Sequence, residues 1–149
     1  MAQVLRKHWH KSNQNSQLSV EDTSTPIVMA EDLFEYCLSP MKVREEMPRY
    51  SFPRMSEHSI GFQVISQNME PTIIVGAIAL GEEVVLSNIN TWDICILHTT
   101  NKGIYMSRFL EKREDIYCFV NDNVIFGRVE FTEEEILSVF KVSSAFNIL

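Results

Sequence analysis

The chain has 149 residues, 45% of them hydrophobic, and a formal net charge of −7, which fits one domain with or without a tail and enough apolar side chains for a real core. The acidic balance argues against broad contact with nucleic acid, because phosphate binding needs clustered Lys and Arg. No apolar run reaches membrane-spanning length, and the first residues, MAQVLRKHWHK, lack the apolar centre of a secretory leader. The expectation is a cytoplasmic protein without membrane contact.

Residues 1–25 are mostly polar, with a Ser-, Asn- and Gln-rich stretch that has almost nothing to bury, and are read as a flexible tail ahead of a domain at 26–149. The tail opens with Arg6, Lys7 and Lys11 around Trp9. His8 and His10 could grip a metal from a strand, but two ligands without a third do not make a site, and a solvated basic tail is the simpler reading. Next, Leu33, Phe34, Cys37 and Leu38 recur at helical spacing, with Glu31 and Asp32 in the first turn and Pro40 closing one short helix. Nothing here supplies the recognition helix of a DNA-reading helix-turn-helix.

From Tyr50 onward, short apolar runs bounded by turn residues signal β structure. The candidate strands are GFQVIS, AIALGEEV, TWDICILHT, GIYMSRFLE and DIYCFVN, with VFKVSSAFNIL as a closing strand. Asn101-Lys102-Gly103 reads as a hairpin and Asn121-Asp122-Asn123 as a second turn. Thr132 before Glu133, Glu134 and Glu135 has the form of a capping box. Cys37, Cys95 and Cys118 form no close-spaced pair and sit among apolar residues, as buried free thiols would. His58 and His98 stand alone, so neither a metal nor a cofactor is expected. The fold class is mainly β with little helix.

The segment Ser66-Gln67-Asn68-Met69-Glu70-Pro71-Thr72-Ile73, followed by Val75-Gly76-Ala77-Ile78, resembles the nucleophile motif of the LexA-like peptidases and phage-repressor C-terminal domains. That motif reads Gly-Asp-Ser-Met-x-Pro-Thr, then Gly-Asp-Ile-Val. Met69, Pro71, Thr72, Gly76 and Ile78 stand in matching places. Trp92-Asp93-Ile94, the strand through Ser107-Arg108-Phe109, and Val120-Asn121-Asp122-Asn123 resemble the elements that follow, the last of them the Ser-Asp-Asn turn. The likeness covers roughly residues 26–149. It implies a compact, strongly bent, barrel-like sheet and a Ser-Lys dyad, in which a neutral lysine takes the proton of an attacking serine.

Mapped onto this chain, the nucleophile position is Asn68 and the base position is Ser107. An amide nitrogen is a poor nucleophile and a serine hydroxyl is too weak an acceptor to act as general base. Ser66-Gln67 replaces the Gly-Asp of the motif. The scissile Ala-Gly or Cys-Gly of self-cleaving members is missing too, the only glycine upstream being Gly61, after Ile60. The expectation is a pseudo-peptidase in which Asn68 hydrogen-bonds Ser107 across the old cleft, with Met69 and Pro71 as packing and turn residues. It would act as a dimerisation or interaction module in bacterial or phage transcriptional regulation, as a homodimer through its C-terminal strand, with a separate DNA-binding regulator as a further candidate partner. Two alternatives stay open: a residual self-cleaving peptidase using a displaced Ser66 or Ser107 with Lys102 or Lys112, and a DNA-binding regulator using the basic tail.

Overall fold

The computed structural model describes residues 24–53 and 55–147. The tail expected at 1–25 lies outside them except for its last two residues. Ser24 and Thr25 are buried and open the first strand, where the Ser24 hydroxyl accepts from Arg49 Nε at 3.1 Å. Composition placed them with the tail because short polar side chains carry little sign of burial.

Nine strands among the described residues form one mixed sheet: β1 (Ser24–Val28), β2 (Arg49–Ser51), β3 (Ser59–Gln63), β4 (Ile78–Val84), β5 (Ile94–Thr99), β6 (Gly103–Arg113), β7 (Ile116–Val120), β8 (Arg128–Thr132) and β9 (Ile136–Phe146). Their order across the sheet is β2-β1-β3-β4-β9-β5-β6-β7-β8. All neighbours are antiparallel except β1 and β3. The fold is mainly β, as the sequence implies. The two ends, β2 and β8, do not pair with each other, so the sheet is open rather than a closed barrel. Three ladders shift register, at Leu80/Gly81, His98/Thr99 and Phe109/Glu111, and such bulges bend a strand locally.

β5 and β9 lie in the middle; β5 is buried on both faces, while β9 buries Ile136, Val139 and Phe140 and exposes Leu137 and residues 143–146. On β5, Ile96 joins one core cluster with Phe62, Tyr36 and Phe140, while Cys95 and Leu97 join another with Phe109, Tyr117, Phe119 and Phe131. This explains the unbroken apolar run Ile94-Cys95-Ile96-Leu97, since a strand covered on both faces cannot alternate.

The central place of β9 corrects one expectation. Pairing runs from Ile78↔Phe146 to Val84↔Val139 on the β4 side and from Cys95↔Lys141 to Thr99↔Ile136 on the β5 side. Residues 139–141 therefore cannot serve as a self-pairing edge, because they are paired to β4 on one side and β5 on the other, whereas Ile136 and Ser138 have register partners on β5 alone. Beyond Lys141 the register gives β9 partners on β4 alone.

The helical segment also differs. A 3-10 turn, Ala30–Asp32, leads into α1 (Leu33–Leu38), and Pro40 begins a second helix, α2 (Pro40–Glu46), instead of ending the only one. Proline suits the first helical position, where its missing N–H has no partner to lose. α1 buries Leu33 and Tyr36, whereas Phe34 and Leu38 face outward. β1, β2 and β8 were not foreseen: two are five residues long and one is three, and none repeats apolar residues strongly. The hairpin at Asn101-Lys102-Gly103 forms with Gly103 at φ 63°, and Thr132 and Glu135 close the expected capping box over a single 3-10 turn. No helix among the described residues is long and apolar enough to cross a membrane.

Candidate functional site

After β3 the chain stays extended, Val64 exchanging main-chain hydrogen bonds with Ala77 and Gly76, both at 2.8 Å. It then turns. Glu70 N–H donates to Gln67 O at 3.1 Å, Ile73 N–H to Met69 O at 2.9 Å, and Asn68 N–H to Ser66 Oγ at 3.4 Å. Gly76 sits at φ 92°, a backbone state that residues with a Cβ rarely adopt. This loop turns Met69 (0% exposed) into the core and Asn68 (2%) towards β6, while Pro71 stays exposed. Ser66 thus accepts a hydrogen bond within the turn.

Ser107 is fully buried in β6, opposite Cys95. The structure brings Asn68 and Ser107 to one place, but joins them through a third residue. Asn121, 3% exposed at the end of β7, accepts at Oδ1 from Asn68 Nδ2 and from Ser107 Oγ, each at 2.8 Å. The second N–H of Asn68 donates to Met106 O. Ser107 also has Val120 O within 3.0 Å, so its single hydrogen has two acceptors. Asn121 Nδ2 lies 3.1 Å from Tyr105 OH, to which it donates. The expected Asn68–Ser107 bond is thus replaced by a relay, because the amide of Asn121 reaches the space between them.

The turn that holds Asn121 is fastened to the Asn68 loop. Asn123 N–H donates to Asn68 O at 3.0 Å and its Nδ2 to Gln67 O at 3.1 Å. Beside them Arg108 grips Asp122 with two bonds of 2.8 and 2.7 Å, donates to Trp92 O at 2.8 Å, and Thr72 Oγ1 donates to the same carboxylate. The Arg108 guanidinium holds the Asp122 carboxyl below the usual carboxylate range and is itself shifted up by that hydrogen bond. Three loops and β6 are thereby locked together.

Chemically, the centre is a closed set of amides, hydroxyls and main-chain carbonyls. Neither Asn68 nor Ser107 is paired with a base. Lys102 is exposed in the β5–β6 turn, and Lys112 is exposed with its ammonium 5.2 Å from the Tyr117 ring centre. The Ile60–Gly61 bond lies inside β3, where Gly61 pairs with Ile27 on one side and Leu80 on the other. A Cβ at Gly61 would stand 2.5 Å from Ile27 Cδ1, so this backbone is held deep in the sheet, unlike a loop that could enter a cleft.

A small hollow of about 40 Å³ adjoins Asn68, walled by Leu33, Phe62, Val64, Ile96, Ile104 and Met106. Its two sides are the extended stretch after β3 and the first half of β6, whose pairing with β7 starts only at Arg108. A second, wider hollow of about 350 Å³ lies under α1 and α2, where Tyr36, Arg44, Glu83 and His98 meet. His98 donates to the Cys37 main chain, and burial pushes its pKa down. His58 is exposed; His8 and His10 lie outside the described residues. No cluster of three metal-ligating side chains forms among the described residues. Asn121 and Tyr105 are the site residues that sequence reasoning missed. The signal was Asn121-Asp122-Asn123 itself, read as a turn and not as a source of buried amides. No protein-family model matches the chain, and no curated protein matches it.

Proposed function

We propose that this chain is a catalytically inactive LexA-like, peptidase-type domain that works as a dimerisation or protein-interaction module in bacterial or phage transcriptional regulation, in the cytoplasm. One observation carries the reading. The two positions that align with the family's dyad, Asn68 and Ser107, are buried side by side and both bonded to Asn121 Oδ1, in a polar centre without a base. A serine–lysine reaction needs a nucleophile and a proton acceptor in hydrogen-bond reach, and here that space is filled by mutual hydrogen bonding. The same contacts fasten β6, the Asn68 loop and the Asn121 turn, so the residues have a structural use that replaces the chemical one.

Dimerisation through the C-terminal strand survives in a narrower form. Of the stretch after Lys141, residues 142–146 of β9 have partners on β4 alone and so offer main-chain groups for an intermolecular strand pair. The chemical half of the proposal is tested with a fluorophosphonate probe and by long incubation at alkaline pH, with neither labelling nor chain cleavage expected. Modification of Ser66 or Ser107 would restore the displaced-nucleophile reading. Sedimentation that finds only monomer at high concentration would overturn the dimer.

A further inference from the structure

Helix α1 is apolar on two sides. Leu33 and Tyr36 face the core, while Phe34 and Leu38, one turn apart, are 77% and 69% exposed. Met41 in α2 and Leu137 on β9, 68% and 58% exposed, border the hollow under the helices. Clustered exposed apolar side chains of this size mark contact surfaces.

The rim of the surface is acidic. Residues 30–47 carry Glu31, Asp32, Glu35, Glu45 and Glu46 against Lys42 and Arg44, five acidic residues to two basic ones, a net −3. The two cations are already used, Lys42 with Glu35 at 3.9 Å and Arg44 with Glu83 at 3.1 Å. A segment that fits this face would carry apolar side chains interleaved with Lys and Arg.

We propose that the occupant is the chain's own residues 4–11. They hold Val4, Leu5 and Trp9 among Arg6, Lys7 and Lys11, with no acidic residue, so their net +3 matches the rim. The reach is sufficient. Twelve residues separate Lys11 from Ser24 and can span up to about 40 Å. The five-residue strand starting at Ser24 is about 17 Å long and leads through Met29 into the helices. Tethering supplies a high effective concentration, so a contact of a few side chains suffices to hold the segment. In that arrangement Trp9 covers the ridge of Phe34 and Leu38, and the basic side chains meet Glu31, Glu35 and Glu46.

The chain has two tryptophans, Trp9 and Trp92, and the Trp92 side chain is exposed. Trp92→Phe therefore leaves Trp9 as the only tryptophan emitter in the full-length protein. The expected result is Trp9 emission shifted to shorter wavelength than in urea, with reduced acrylamide quenching that does not depend on protein concentration. Both effects should be lost in Phe34→Asp/Leu38→Asp, with far-ultraviolet circular dichroism unchanged, and should weaken at high salt. Trp9 as accessible in the folded chain as in urea overturns the proposal. So does shielding that survives the double substitution, which would place the segment elsewhere. Shielding that grows with concentration alongside a dimer in sedimentation would assign the face to a second copy instead.

Discussion

Replacing Asn121 by alanine probes the centre of the polar relay directly. The substitution removes an acceptor shared by Asn68 and Ser107 and the donor to Tyr105 OH. Ser107 keeps Val120 O at 3.0 Å, and Tyr105, only partly buried, can turn to water. Asn68 has no such relief: one of its N–H groups, in a residue 2% exposed, loses its acceptor. An orphaned buried donor costs about 1–3 kcal/mol, and each lost bond about 1 kcal/mol net, so Asn121→Ala should destabilise the fold by about 3 kcal/mol. For a domain of this size that is a fall in melting temperature of roughly 10 °C. Urea titration followed by circular dichroism measures the change. The double-mutant cycle with Asn68→Ala should give a coupling energy of about 1 kcal/mol or more, because the second substitution removes the donor that the first one strands. A loss below about 0.5 kcal/mol, or a cycle that is additive, would show that Asn121 does not hold the site together.

Ser107→Lys, which puts the lysine of the LexA-like motif at the position that resembles its base, should be strongly destabilising, by roughly 3 kcal/mol or more, because a fully buried serine site has no room or solvation for an ammonium; a urea midpoint equal to that of the parent chain would refute this. Asp122→Asn tests the Arg108 clamp. Asp122 titrates lower when folded than its ordinary 3.8, so its contribution is complete above that value and is lost as pH falls through the lower, folded value. The variant should be less stable at neutral pH and lose less stability on acidification; parallel stability–pH curves would count against the clamp. Cys95 is fully buried, and burial, then Asp93, pushes its thiol up to about 12. Since the unfolded thiol ionises near 9, Cys95 should erode stability as pH rises from that value towards 12, and Cys95→Ala should flatten this alkaline limb. In the native protein a thiol reagent should modify Cys37, which is partly exposed, well before Cys95 and Cys118.

The sequence alone determined which residue types stand at positions 68 and 107 and much of the strand framework. Residue types decide whether a nucleophile or a base can exist at a position: the amide of Asn68 is no nucleophile and the hydroxyl of Ser107 is no base. Turn residues with a local mechanism were equally legible: Gly103 at positive φ and the Thr132–Glu135 capping box each depend on neighbours a few residues away. What could not be read were arrangements fixed by distant parts of the chain. A short strand such as β1, with Pro26 and two hydroxyl residues, becomes a strand because β2 and β3 offer it partners, not through its own pattern. The run at the end of the chain reads equally well as an edge or a centre, and only pairing with both β4 and β5 places β9 inside the sheet. On α1, spacing offered two apolar stripes, and tertiary packing chose Leu33 and Tyr36 over Phe34 and Leu38. The site follows the same division. That positions 68 and 107 hold an amide and a hydroxyl is written in the sequence. That they meet through Asn121, 53 residues from one and 14 from the other, was decided by the turn that Arg108, Asp122 and Asn123 pin against the loop, because a buried amide takes whichever donors the folded backbone brings to it.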